Sequence, residues 1–449
     1  MGRSVRGEFA YQAVYRYLLT QITQMRGAED ERLPSLRDLA RRLRVSLATV
    51  QCAYSLLEAE GRVHTVPKSG YYARPAHLGP NETVHHQVLP LSGSPPPCAT
   101  LEPLLLAHER RLGGQAQEER VAQAVLRRAI AARLTHSSGR YWRAEDVSLS
   151  PDLPALLSTS LHALNLQGST ILVATPCCAR DVQVLEQLDM RIVEWPLEVP
   201  DFDALARLLE AEKVHLVVMP ACLASPPGRW LSPDEQRELA RLLGLHGVWL
   251  LENDQDSEQC FAGSPASHLR DWVDPRRLLV HGTLEAIVGA EAPIAYLLSP
   301  HPEVREAIAR RNFRLPPRRV LALARVLSRS DLDSQLEQAR STLRGRMATL
   351  CQLMDQHHLG DWLAYAAPQG GYTLWCRLHR SIDIDSLCAR LHSPALRVLA
   401  GTRFSVQGLF EQSLALSWEG DDAAALGQAL ADLARALSDL HGADHPVAG

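Results

Sequence analysis

LPSLRDLARRLRVSLATVQCAYSLLEAEG, Leu33 to Gly61, decides how the N-terminal part of the chain is read. Ser35 is a good helix N-cap and Asp38 three residues on completes a capping-box pattern, after which Leu36, Leu39, Ala40 and Leu43 fall on one helical face. Arg44 and Val45 make a short turn and Ser46 caps again. Val50, Ala53, Tyr54 and Leu57 then repeat at i, i+3, i+4 and i+7 until Gly61 ends a second helix. Two short amphipathic helices across a tight turn make a helix-turn-helix. With its apolar face committed to a core, the second helix presents Leu47, Ala48, Thr49, Gln51 and Cys52 outward near its N-terminus, the end that such motifs insert into the major groove of DNA.

Working outward, RVHTV, then PKSG, then YYA alternates like two strands around a turn, which predicts a wing with Lys68 and Ser69 at its tip. Upstream, Phe9 to Met25 aligns Val14, Leu18, Ile22 and Met25 along one stripe, so a further helix completes a three-helix core. The candidate DNA contacts are therefore Arg37, Arg44, Ser46, Leu47, Thr49, Gln51, Lys68 and Ser69. Arg37, Arg41, Arg42, Arg44 and Lys68 suit phosphates, which position a protein without reading sequence. Leu47, Ala48, Thr49 and Gln51 are the candidate base readers. Because Gln pairs with adenine and apolar side chains meet the thymine methyl, they predict a site rich in A and T.

Residues 9–74 resemble the winged helix-turn-helix of the GntR family, in L-P-S-x-R-x-L-A from Leu33, V-S-x-x-T-V from Val45 and L-E-A-E-G from Leu57. The resemblance implies binding of double-stranded DNA. One departure, Leu47 where that family commonly carries arginine, supports the competing reading of a winged helix kept as a protein-interaction module.

Charge is distributed to match. Residues 1–75 hold 12 Lys and Arg against 7 Asp and Glu, leaving 35 against 44 for the remainder, so only the N-terminal part suits a polyanion. At 449 residues, with 46% hydrophobic and 22% charged content, the chain is an ordinary globular one of two or three domains and not a disordered one. Nine cysteines, an odd number, and no charged-then-apolar leader point away from a disulfide framework and secretion, and towards a cytoplasmic location. Residues 153–179 carry no formal charge, but Asn165, Gln167, Gly168 and Ser169 interrupt them, so no membrane span is expected.

Residues 75–98 turn to Pro, Gly, His and Ser, the composition of a linker. His85 and His86 lie there without a Cys or carboxylate cluster at ligand spacing, and no metal site is expected. From Leu101 onward, apolar runs of strand length alternate with helical patterns. Strands are predicted near Val147–Leu149, Thr170–Ala174, Met190–Trp195, Val214–Met219, Val248–Glu252 and Leu278–Gly282, with crossover helices such as Ala155–Leu166 and Pro233–His246. That is an α/β domain with a largely parallel sheet. After about Pro300 come long Arg- and Leu-rich helices, GGYTLWCRL, LALSW and a last helix over Asp421–Leu440, a smaller α+β subdomain. The expected division is a winged helix over 1–74, a linker over 75–98, a large domain over 99–300 and a small subdomain over 301–449.

Roughly residues 101–440 resemble the fold-type I aminotransferase domain that follows a GntR-type head in MocR-type regulators. The anchors are SPPG at Ser225, LLENDQDSEQCF at Leu250, GTLEAIVGAEAPIAYLL at Gly282 and GGYTLW at Gly370. In active relatives these places hold pyridoxal phosphate, whose chemistry needs a lysine amine, a carboxylate at the pyridinium nitrogen and donors for the phosphate. The resemblance puts the Schiff-base lysine at Ala286, the phosphate-binding arginine at Pro293, the pyridinium carboxylate at Asn253, the tyrosine that bonds the ring hydroxyl at Gln255, the ring-stacking aromatic at Cys178 and the substrate-binding arginine at Ala415. Each of those roles is lost. Where a Ser- and Gly-rich turn would offer backbone N–H groups to the phosphate, the chain has Ser150-Pro151-Asp152-Leu153-Pro154, with two residues lacking donors and one acid.

Independently of any alignment, the chain contains only two lysines, Lys68 and Lys213, neither at a cofactor position. The expectation is a DNA-binding regulator and not an enzyme, with no cofactor and a body that serves dimerisation or sensing of an unknown effector. A head-to-tail homodimer is what the resemblance implies. The alternative, a regulator responding to pyridoxal phosphate or a vestigial aminotransferase, requires one of those two lysines to form the aldimine. Cys177, Cys178, Cys222 and Cys260 follow the C-terminal ends of three predicted strands, the edge where open α/β sheets bind ligands. If they converge they make a thiol or soft-metal sensor; otherwise they serve as small buried hydrophobes.

Overall fold

Both helices of the first motif form where the capping residues place them, over Leu36–Leu43 and Leu47–Ala59. The computed structural model describes residues 14, 17–18, 33–43, 45–59, 63–66, 70–73, 100–113, 118–177, 179–263, 267–289, 294–391 and 393–444. It divides into two compact units, residues 1–84 and 85–449. In the first, Ser35 Oγ accepts the Asp38 amide at 3.2 Å and donates to the Asp38 carboxylate at 2.6 Å, and Ser46 Oγ accepts the Thr49 amide at 3.1 Å. Strands β1 (Val63–Val66) and β2 (Gly70–Ala73) pair antiparallel, Val63 opposite Ala73, as the wing. Val14, Leu18, Leu39, Val50, Ala53, Tyr54, Leu57 and Val63 make the core. Tyr54 is fully buried, its hydroxyl donating to the Pro34 carbonyl at 2.6 Å.

The second unit is built on a seven-stranded sheet. Its members are β3 (Val147–Ser150), β4 (Thr170–Thr175), β5 (Arg191–Pro196), β6 (Leu216–Pro220), β9 (Trp249–Asn253), β10 (Leu278–Thr283) and β11 (Ala295–Leu298), in spatial order β3-β11-β10-β9-β6-β4-β5. A small hairpin of β7 (Leu223–Ala224) and β8 (Arg229–Trp230) follows β6. From β10 to β5 the sheet is parallel, and helices 153–163, 179–187, 202–211 and 233–246 supply crossovers over its two faces. The β-branched and Leu-rich runs predicted as strands are buried on both sides, as parallel sheets require. One strand of this sheet escaped the reading: β11 lies antiparallel between β10 and β3, and among the described residues only the four-residue helix 285–288 separates it from β10, so no strand–helix alternation marks it.

A four-stranded antiparallel sheet, β12 (Leu363–Tyr365), β13 (Thr373–Leu378), β15 (Ser413–Trp418) and β14 (Leu396–Ala400), forms the smaller layer in the order β12-β13-β15-β14. With helices 332–356 and 423–444 it encloses its own core, from Leu343 to Leu440. The change of core does not fall at 300/301. Val304 and Ile308 pack under the large sheet, and Leu315 to Leu336 join the core with helices 102–112 and 119–136, so the changeover comes inside the long helix 332–356. The physical reason is that helix 302–311 lays its apolar face on helix 153–163, and helix 317–327 lays its own on helices 102–112 and 119–136, all of the large domain.

Candidate functional site

On the second helix of the winged head Leu47 is 46% exposed and Gln51 is exposed, and Arg37 is exposed on the first helix, so these three are free to meet a groove and a phosphate. Ser46 is also exposed, but its hydroxyl is engaged at 2.7 Å with that of Thr49, which makes the pair a cap that holds the helix start in shape. Arg41 and Arg42 flank them on the first helix, Arg42 lying 5.8 Å from the Tyr17 ring centre and Arg41 3.8 Å from Asp38. Arg44, Lys68 and Ser69 lie outside the described residues.

In the body, the positions that matter are the C-terminal ends of β4, β6, β9 and β10. Asn253 closes β9 opposite Pro220 of β6, and its side-chain oxygen accepts the Gln255 amide at 3.0 Å, an Asx turn that uses the group within its own loop. Ala286 sits in the short helix 285–288 directly after β10. Pro293 and Cys178 lie outside the described residues. Lys213 precedes β6 at the opposite, N-terminal edge and is exposed, separated from the Pro220–Asn253 pair by the whole of β6, about 13 Å from Leu216 to Pro220 at the usual rise per residue.

At helix 153–163, whose N-terminus would face an anion, Asp152 accepts the Ala155 amide at 2.7 Å and Pro154 stands in the first turn. The positive pole is thus answered by the chain's own carboxylate. Ala415 of β15 is buried and stands opposite Trp375. Trp375 meets Phe404 and Phe410 edge to face, with ring centres 5.4 and 5.7 Å apart. Around the position expected for a substrate-binding arginine there is an aromatic cluster instead. Its Phe404 carbonyl accepts the Cys177 amide at 3.0 Å, joining the small layer to the end of β4. The cavity left between Cys177, Ser225, Asn253 and Asp256 measures about 40 Å³, room for a few waters.

Next to it lies a buried charge cluster that the sequence reading missed. Arg270, wholly buried, pairs with Glu252 at 2.5 Å and Asp254 at 3.1 Å, and its backbone amide donates to Glu252 at 2.5 Å. Asp254 also accepts from Ser257 and, at 3.4 Å, from the Tyr296 hydroxyl. Burial pushes the Glu252 carboxyl up to about 7 against the pull of Arg270. Burial acts on Asp254 in the same direction but is outweighed by Arg270 and His268, which hold it below the usual carboxylate range. Burial, aided by Arg270, pushes buried His268 down to about 4, so it is neutral at physiological pH. One signal was available in the sequence: an acid closing the apolar run VWLLE demands a buried partner, although nothing local names Arg270.

A second cluster ties the layers together: Glu258 takes Arg133 at 2.8 Å and Arg340 at 2.9 Å, from helices 119–136 and 332–356. Of the four cysteines singled out, Cys222 and Cys260 converge, their sulfurs 4.0 Å apart, whereas Cys177 packs separately under the sheet, with Leu153 and Val182. No group of three or more possible metal ligands occurs among the described residues. Among them, too, no helix is long and apolar enough to cross a membrane.

Comparison with known proteins agrees with this architecture. Residues 10–72 match the family model for bacterial regulatory proteins of the gntR family, and residues 114–424 match that for aminotransferase class I and II. The chain is 25% identical to the uncharacterized HTH-type transcriptional regulator YjiR of Escherichia coli, over 91% of this chain and 94% of that one. It is 22% identical to the probable rhizopine catabolism regulatory protein MocR of Rhizobium meliloti, over 84% and 83%. The HTH-type pyridoxine biosynthesis transcriptional regulator PdxR of Corynebacterium glutamicum is 26% identical over 73% and 74%. Among solved structures, the α-aminoadipate aminotransferase LysN of Thermus thermophilus superposes with a TM-score of 0.67 at 19% identity, covering 80% of this chain and 94% of that one, a likeness of fold.

Fold and matches define the class first, a GntR winged helix joined to an aminotransferase class I and II domain with a mixed sheet. Within that class the chain belongs to the MocR-type subfamily of GntR-family transcription regulators.

Proposed function

We propose that this regulator binds its operator as a head-to-tail homodimer in the cytoplasm, and that its aminotransferase-like body has lost pyridoxal phosphate chemistry and serves dimerisation and effector sensing. It is not an enzyme in this reading. The observation that carries the proposal is the position of Lys213. It is the one lysine of residues 85–449, and it stands at the wrong end of β6 for an aldimine beside Asn253. The Asp152 cap and the aromatic cluster around Ala415 argue in the same direction, since the Ala155 amide at that helix start is already taken by Asp152 and the position of a substrate-binding arginine is an alanine packed among aromatic rings. These residues do not fit a Schiff-base-held cofactor.

A C2 dimer presents two recognition helices to paired half-sites, and Leu47 with Gln51 favours A and T in each. Any effector must bind one arrangement of the heads better than another to act at all.

Titration of the purified protein with pyridoxal phosphate, followed by borohydride reduction and mass mapping, tests the central claim. No aldimine absorbance and no modified lysine are expected. Stoichiometric trapping at Lys213 would overturn it in favour of a cofactor-responsive regulator.

A further inference from the structure

Cys222 follows β6 and Cys260 follows the loop after β9, and both sulfurs are wholly buried at 4.0 Å from one another. Their surroundings are not simply apolar. Cys222 Sγ donates to Ser257 Oγ at 3.3 Å, and Ser257 Oγ donates in turn to Asp254, whose charge is held by Arg270. A cavity of about 40 Å³ between helix 119–136 and the ends of β9 and β10 is lined by Ser257, Asp254 and Tyr296, so a water-sized molecule reaches this relay.

The pair also sits where the two layers meet. Cys260 bridges to Gly370, the Phe261 amide donates to the Gln369 carbonyl at 2.8 Å and the Gly371 amide to that of Gln259 at 3.2 Å. A Cβ on Gly370 would lie 2.8 Å from the Leu223 side chain, so the residue after Cys222 touches the same crossing.

We propose that Cys222 and Cys260 are a redox-responsive dithiol that a small hydroperoxide closes to an intramolecular disulfide, clamping the crossing between the large and small layers. In the first step the Cys222 sulfur attacks the peroxide while its thiol proton passes through the Ser257 hydroxyl, itself held by Asp254, to the departing oxygen. The O–O bond breaks, that oxygen leaves as alcohol or water, and Cys222 becomes a sulfenic acid. In the second, the Cys260 sulfur displaces hydroxide from Cys222; the S–S bond forms, the S–O bond breaks, and the Cys260 proton leaves with hydroxide as water. Two thiols have lost two electrons and the peroxide has gained them. Burial raises the Cys222 thiol well above its ordinary range, so closure is slow and depends on the relay.

The test treats the full-length protein with hydrogen peroxide, blocks remaining thiols with N-ethylmaleimide in denaturant, and maps an unreduced digest. The expected product joins the peptides of Cys222 and Cys260, is two hydrogens lighter than the reduced pair and is reversed by dithiothreitol. Its rate falls severalfold in Ser257→Ala, and amide exchange at Phe261 and Gly371 slows in the oxidised protein. Wild-type protein in which both thiols remain open to alkylation, or are both carried to sulfinic acid without joining, would overturn the dithiol. Unchanged exchange at Phe261 and Gly371 in cross-linked protein would overturn the clamp.

Discussion

Tyr54 stacks on Tyr71 with ring centres 4.3 Å apart and planes 28° from parallel, so the second helix of the motif and the second strand of the wing share one aromatic contact. The Leu33 amide donates to the Tyr71 carbonyl at 2.9 Å and closes the same corner. Truncation should therefore loosen helix and wing together. Tyr54→Ala is expected to cost about 3–5 kcal/mol by analogy with other large-to-small core changes, and Tyr54→Phe about 1 kcal/mol through the lost bond to Pro34. Denaturant melts of the three proteins, followed on the head, check both values.

DNA binding should separate positioning from reading. Arg37→Ala is expected to weaken all sequences alike and to lower the slope of log affinity against log salt by about one, whereas Gln51→Ala should mainly relax base preference. Leu47→Arg, which installs the commonest guanine-reading side chain, should move selected half-sites towards G. Site selection from random duplexes at fixed salt gives both answers; G-rich sites from the unaltered protein would refute the A and T preference.

Removing the Asp152 side chain should cost roughly 1 kcal/mol of stability, the usual loss when an N-cap is deleted. Asp152→Ala should still show no phosphate binding by calorimetry, because Pro154 and the neighbouring Pro151 supply no amide.

Breaking the buried cluster should be far more damaging than losing that cap. Arg270→Met leaves Glu252 and Asp254 together without a cation, and a loss of about 3–5 kcal/mol is expected. An urea midpoint within error of the parent would show that the carboxylates rearrange at little cost.

His268 supplies a pH dependence of known sign. Its imidazole titrates near 4 in the fold against an ordinary 6.5, so the unfolded chain binds more protons and stability, full above pH 6.5, is lost as pH falls towards 4. Glu252, raised to about 7, works in the opposite sense, giving up stability as pH rises from 4.5. Comparison with His268→Gln isolates the histidine: the advantage of the parent should shrink by roughly 3 kcal/mol between pH 7 and pH 4.

Local chemistry was legible in the sequence, and pairing at a distance was not. Ser35 and Ser46 cap as read because a cap needs only the next three residues, and six strands of the large sheet were found because each is a buried apolar run between turns. β11, as long as β3, was missed because no full crossover helix sets it off from β10. Glu252 and Arg270 are 18 residues apart, and Glu258 and Arg340 lie 82 apart, so their meeting is set by the sheet and not by any periodicity. The cysteines divide the same way: strand ends predicted an edge in common, and only the fold decided that Cys222 would meet Cys260 while Cys177 would not.

The exposed position of Lys213 has a practical consequence. An amine-reactive dye applied to this protein has one side-chain target on residues 85–449, at the edge of the sheet away from Asn253. Once Lys68, the chain's other lysine, is changed to arginine, a symmetric dimer carries two identical side-chain reporters at that edge, and energy transfer between them can follow the assembly while peroxide or a candidate effector is added.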